Sequence, residues 1–87
     1  MYYVYVIQNE KKDFYVGYTA NLNNRLADHN AGRNQSTKND KWELVYYEAY
    51  VNESYARNRE QILKKNRRMK TFLLERIKES LSYLVVR

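Results

Sequence analysis

Arg25 and His29 stand four residues apart in "NNRLADHN", residues 23–30, a spacing that puts both on one face of a helix. Leu22 and Leu26 share that face, so the polar pair borders a buried stripe. Further along, Ala56, Arg59, Glu60 and Leu63 fall on one face of a second helix, where Glu60 interrupts the inward apolar stripe. A carboxylate in that place needs stabilising. It either forms a structural ion pair with Arg25 or Arg59, or holds a hard divalent cation, for which carboxylate oxygen is the ligand type. Residue types alone leave both readings open.

Six elements must position these groups. "YYVYVIQ", residues 2–8, is apolar on both faces, with Tyr3, Tyr5 and Ile7 opposite Tyr2, Val4 and Val6, and reads as a central strand. "NEKKD" turns the chain into "FYVGYT", residues 14–19, a hairpin partner with Tyr15 and Gly17 on one face. Thr19 or Asn21 caps a first helix that runs to about Asn30, where "NAG" supplies a left-handed stop. Residues 30–41 hold no large apolar side chain and read as a mobile surface loop. "WELVYYEAY", residues 42–50, resumes strand character, and Asn52 or Ser54 caps a second helix to about Lys65. The third helix, from "MKTFLL", carries an apolar stripe through Leu73, Ile77, Leu81 and Leu84. The order β-β-α-β-α-α predicts an α+β fold, a small three-stranded antiparallel sheet flanked by helices. Tyr2, Tyr46 and Tyr47 are expected in its core.

An 87-residue chain without an internal repeat or visible boundary is expected to form a single domain, residues 1–87. With no cysteine, disulfides and thiolate zinc sites are excluded, and an intracellular, cytoplasmic location is the default expectation. No apolar run approaches the roughly 18 residues that would span a membrane, so no membrane partner is expected. The formal net charge of +6 is localised: residues 57–70, "RNREQILKKNRRMK", contain seven Arg or Lys and one Glu, and the rest of the chain balances. That is the footprint of a polyanion partner, nucleic acid first among them. Arg57, Lys64, Lys65, Arg67 and Arg68, with Arg33 and Lys38 in the loop, are the candidate phosphate contacts.

"YVY" at 3–5, "YVG" at 15–17, Arg25 and His29 in "NNRLADHNAG" and Glu60 in "ARNREQILKK" together resemble the GIY-YIG nuclease domain, and in particular its small stand-alone members. The likeness covers nearly the whole chain. It implies a metal-dependent endonuclease that hydrolyses phosphodiester bonds in nucleic acid, DNA rather than RNA, selecting substrate by its structure. Glu60 would anchor one Mg²⁺ or Mn²⁺, the remaining ligands being water and phosphate. Tyr5 and Tyr15 match the paired motif tyrosines, one of which activates or orients the attacking water. A phenol with an ordinary pKa near 10 needs cationic charge from Arg25 or the metal to act as a base. Arg25 would offset charge on the phosphoryl oxygens, and His29 would hydrogen-bond the phosphate or protonate the leaving oxygen. Gly17 would let the nucleic acid approach the backbone closely. Three positions depart from the family pattern: Tyr3 at the first motif glycine, Tyr18 where some members carry Lys, and Phe72 where some carry Asn. The alternative implied by these departures is a non-catalytic nucleic-acid-binding module on the same scaffold.

Overall fold

The computed structural model describes residues 1–34, 37–38 and 40–86, with side chains to residue 82. Its order is β1 (Tyr2–Asn9), β2 (Phe14–Thr19), α1 (Leu22–Asn30), β3 (Trp42–Tyr50), α2 (Glu53–Lys65) and α3 (Arg67–Val86). The three strands make one antiparallel sheet in the order β2-β1-β3. β1 is therefore central, as a strand apolar on both faces must be if neither face is to meet water.

Its two faces bury different partners. Val4 and Val6, with Val16 of β2, pack against Ala56 and Leu63 of α2 and Leu73 and Ile77 of α3. Tyr5, Ile7 and Trp42 form the second cluster, closed by Tyr15, Leu22 and Leu26. Thus α2 and α3 cover one face and α1 lies on the other. The expected third-helix stripe is present at Leu73, Ile77 and Leu81, while the Leu84 side chain lies outside those described.

Local chemistry sets the boundaries. Asn21, rather than Thr19, caps α1 by accepting from the Asn24 N–H at 3.0 Å. α1 ends where Gly32 adopts φ +75°, which lets the Arg33 N–H reach back to the Asp28 carbonyl at 3.0 Å. Asn52 caps α2 through the Ser54 N–H at 2.9 Å. Asn66 alone separates α2 from α3: its N–H closes α2 on the Ile62 carbonyl at 2.8 Å, and its side chain accepts from the Met69 N–H at 3.1 Å. This cap starts α3 at Arg67, ahead of the expected "MK".

Two findings depart from the sequence reading. The β1–β3 ladder shifts register between Val6 and Ile7, so that Val45 is an extra residue in β3. Because a bulge flips all later side chains, Trp42 and Tyr47 face the same side of the sheet despite their odd separation. Tyr47 is also not in the core but 54% exposed. Tyr46 does pack against the core, as expected.

Candidate active site

The pairing of β1 with β2 sets Tyr5 directly opposite Gly17. A Cβ at Gly17 would lie 2.2 Å from the Tyr5 Oη and 2.3 Å from its Cζ, so only glycine leaves room for the ring to cross the neighbouring strand. Gly17 is buried by that ring. The group that approaches its backbone in the structure is the Tyr5 ring.

Lying this way, the ring delivers its hydroxyl to α1. Tyr5 Oη is 2.7 Å from His29 Nε2 and accepts from Arg25 Nε at 3.4 Å. The other imidazole nitrogen, Nδ1, is 2.6 Å from Thr37 Oγ1. His29 and Thr37 are both fully buried. One tautomer gives every polar hydrogen an acceptor: Thr37 donates to the Asn34 carbonyl (3.5 Å), Nδ1–H donates to Thr37, and Tyr5 donates to Nε2. Burial, and next the Arg25 charge, lowers the His29 pKa, so the imidazole is neutral at pH 7. Burial pushes Tyr5 up to about 12, outweighing the opposing pull of Arg25. Arg25 alone thus does not make Tyr5 a phenolate. Nor does His29, enclosed with both nitrogens engaged, present itself to a phosphate.

Thr37 is the residue that sequence reasoning missed. The composition of residues 30–41 predicts a surface loop, yet its Thr37 carbonyl accepts from Trp42 Nε1 at 3.0 Å, and Asn30 bonds the Trp42 backbone through both ends of its amide. The available signal was indirect. A tryptophan N–H and a histidine bordering a core both require polar partners, and the stretch between them is the nearest source.

Tyr15 completes the cluster from β2, its ring edge-on to His29 with centroids 5.0 Å apart. Lys64 Nζ sits 5.4 Å from the centre of the Tyr15 ring and 3.2 Å from Glu60 Oε2. The Glu60 carboxylate is 16% exposed and close enough that its charge helps raise Tyr5. The two expected ion-pair partners are both otherwise placed. Arg25 turns to Tyr5, and Arg59 makes a two-pronged contact with Glu48 at 2.9 Å, which Tyr46 and Tyr50 also donate to. Glu60 pairs with Lys64, one turn along its own helix.

No group of three or more His, Cys, Asp or Glu side chains suited to a metal occurs among the described residues. The donor set at the cluster is therefore a single hard carboxylate, Glu60. That fits Mg²⁺, which keeps most of its waters and commonly takes one or two protein carboxylates together with substrate phosphates.

The remaining candidates divide. Arg57 pairs with Glu53 at 3.1 Å and lies over the Tyr18 ring at 4.7 Å, and Arg33 pairs with Asp28 at 2.9 Å. Lys38, Lys65, Arg67 and Arg68 are exposed, and among the described residues no ion pair involves them. Phe72 is 57% exposed and lines a cleft of about 410 Å³ with Val45, Met69 and Arg76, on the α2–α3 face of the sheet.

Tyrosines from two paired strands, met by an arginine on the first helix and a glutamate on the second, define a small nuclease-type domain. Comparison with known families agrees: the GIY-YIG catalytic domain matches residues 1–72, and the chain belongs to this family. Its relatives are small proteins of similar size. A UPF0213 protein of Pediococcus acidilactici is 34% identical over 87 residues, covering 95% of this chain and 80% of that one. A UPF0213 protein of Streptococcus pyogenes serotype M5 is 36% identical over 67 residues, covering 75% and 73%. The solution NMR structure of a UPF0213 protein from Bacillus halodurans superposes with a TM-score of 0.53 at 25% identity, covering 86% of this chain and 84% of that one. Membership of a nuclease domain family implies a nucleic-acid substrate, and nucleases of this family commonly use a divalent metal. No helix among the described residues is long and apolar enough to cross a membrane.

Proposed function

We propose that the protein is an endonuclease that hydrolyses DNA phosphodiester bonds with Mg²⁺ or Mn²⁺, and that it selects DNA by structure. The observation that carries this reading is the Tyr5 hydroxyl shared between Arg25 and His29 at 3.4 and 2.7 Å, within the field of the Glu60 carboxylate.

Arg25 would hold a phosphate, offering the two terminal nitrogens of its planar fork to phosphoryl oxygens while Nε keeps its bond to Tyr5. Tyr5 works as a protonated phenol. A water resting on its oxygen gives a proton to Oη as the phenol proton passes to His29 Nε2, so the base consumed is the neutral imidazole and no free phenolate forms. The new bond joins the water oxygen to phosphorus, and the phosphorus bond to the leaving oxygen breaks, that oxygen taking a proton from solvent while His29 returns its own to solvent. A cation held by Glu60 would supply charge neutralisation and Lewis acidity at the phosphate. Lys64, which now neutralises Glu60, would yield that place and remain near Tyr15.

The test is purified protein with Mg²⁺ or Mn²⁺ on single-stranded, flap, branched and duplex DNA. Nicking is expected above a Glu60→Ala control, and Arg25→Ala should lose about 10²- to 10³-fold in turnover with binding largely kept. Binding without nicking in the wild type would instead identify a non-catalytic module on this scaffold.

A further inference from the structure

Tyr47 lies directly opposite Tyr5 in the β1–β3 register, and Tyr3 lies opposite Ala49. Side chains opposed in this way share a face, so Tyr47 lies on the face of the sheet from which Tyr5 meets Arg25, across β1 from Gly17, over which the Tyr5 ring passes. The Tyr3 ring stands edge-on to Tyr47, with centroids 5.9 Å and planes 67° apart. A single exposed tyrosine is ordinary. Three things set this one apart. The apolar cluster under α1 closes over Tyr5, Ile7 and Trp42, and leaves Tyr47 and Ala49 exposed. A ring braced by a second ring has little orientational freedom to lose on binding. Finally, it shares a sheet face with the Tyr5–Arg25 pair, so one face offers a cation and a free aromatic ring, the complements of a nucleotide's anionic phosphate and flat base. In a continuous duplex both faces of a base are already stacked, whereas an unpaired base has a face free for an aromatic side chain.

We infer that Tyr47, braced by Tyr3, is a stacking platform for an unpaired base of the strand whose phosphate Arg25 holds, and that it makes the site prefer strands with unpaired nucleotides over continuous duplex. This rests on the reading of Arg25 as a phosphate contact. It also gives a use to a departure from the family pattern, since a glycine in place of Tyr3 would leave Tyr47 without its brace.

Stacking is read without cleavage by the fluorescence of 2-aminopurine within single-stranded DNA, titrated with protein in the presence of a chelator. Wild type and Tyr47→Phe should quench the probe. Tyr47→Leu should lose the quenching and bind single strands about 10-fold or more weakly, while its affinity for blunt duplex changes by less than about twofold. Thermal melts of the variants confirm folding. Unchanged quenching in Tyr47→Leu, or equal losses on single strand and duplex, would overturn the platform. The two readings fail separately: a wild type that quenches through Tyr47 but never nicks sinks the nuclease alone, and one that nicks while Tyr47→Leu behaves as wild type sinks the platform alone.

Discussion

Burial holds Tyr5 and His29 in their neutral forms, and this neutrality has a pH signature. His29 is depressed below its usual 6.5, so the unfolded chain takes up that proton more readily; stability is complete above about 6.5 and falls as pH drops toward the folded value. Tyr5 is raised from 10.0 to about 12, so its contribution is complete below 10 and is lost as pH rises toward 12, a difference on the order of 3 kcal/mol. Thermal melts should therefore show a plateau between about pH 6.5 and 10, with the acid shoulder reduced in His29→Gln. Glu48 adds a separate acid loss below 4.5, because bonds from Arg59, Tyr46 and Tyr50 outweigh its burial. Thr37→Val keeps the side chain's shape but strands the His29 Nδ1–H, which should cost about 1–3 kcal/mol. Thr37→Ser should restore both melting temperature and nicking, whereas a purely space-filling role would leave Thr37→Val unharmed. The sequence marked Arg25, His29 and Glu60 because charges bordering an apolar stripe are conspicuous. It could not mark Thr37, whose contribution is one hydroxyl and one carbonyl in a stretch without periodicity.

Among the elements, the β1–β2 pair owes its geometry to Gly17 and the β3 strand to its bulge at Val45. Gly17→Ala must push the Tyr5 ring off a contact of 2.2 Å, breaking its bond to His29, and overpacking of this kind costs about 1–3 kcal/mol. The cost should vanish when Tyr5 is already alanine. A double-mutant cycle in thermal or urea unfolding measures that coupling, and additive losses would mean that the glycine serves some other contact. Strand and helix boundaries were legible because caps, turns and apolar spacing agree along most of the chain. The bulge was not: an extra residue leaves "WELVYYEAY" looking like an ordinary strand, and the side each tyrosine faces is decided only by pairing with β1. Hence alternation alone puts both Tyr46 and Tyr47 in the core, whereas only Tyr46 packs there.

For the molecule as a whole, a sequence-local charge of +6 becomes a smaller free patch once its contacts are known. Of the seven basic residues in 57–70, Arg57, Arg59 and Lys64 are held by Glu53, Glu48 and Glu60, Lys70 is half-buried, and Lys65, Arg67 and Arg68 stand exposed around the α2–α3 junction. If this patch tracks the DNA backbone, Arg67→Ala with Arg68→Ala should reduce the log-log salt slope of binding by roughly 2, and Arg59→Ala by much less. Equal changes would mean that the ion pairs open on binding. The sequence showed the charges but not which were already spent on neighbouring carboxylates. The same junction has a mechanical consequence. With Asn66 as the only spacer, the rotation of α3 about its axis is geared to α2, and each residue of a helix turns by about 100°. An added residue that carries the helix forward would bring Phe72 and Arg76 to the places now held by Leu73 and Ile77. Length is thus the quantity this joint conserves: a glycine inserted after Asn66 should lower the melting temperature sharply, while one inserted after Lys11 in the exposed β1–β2 turn should be tolerated.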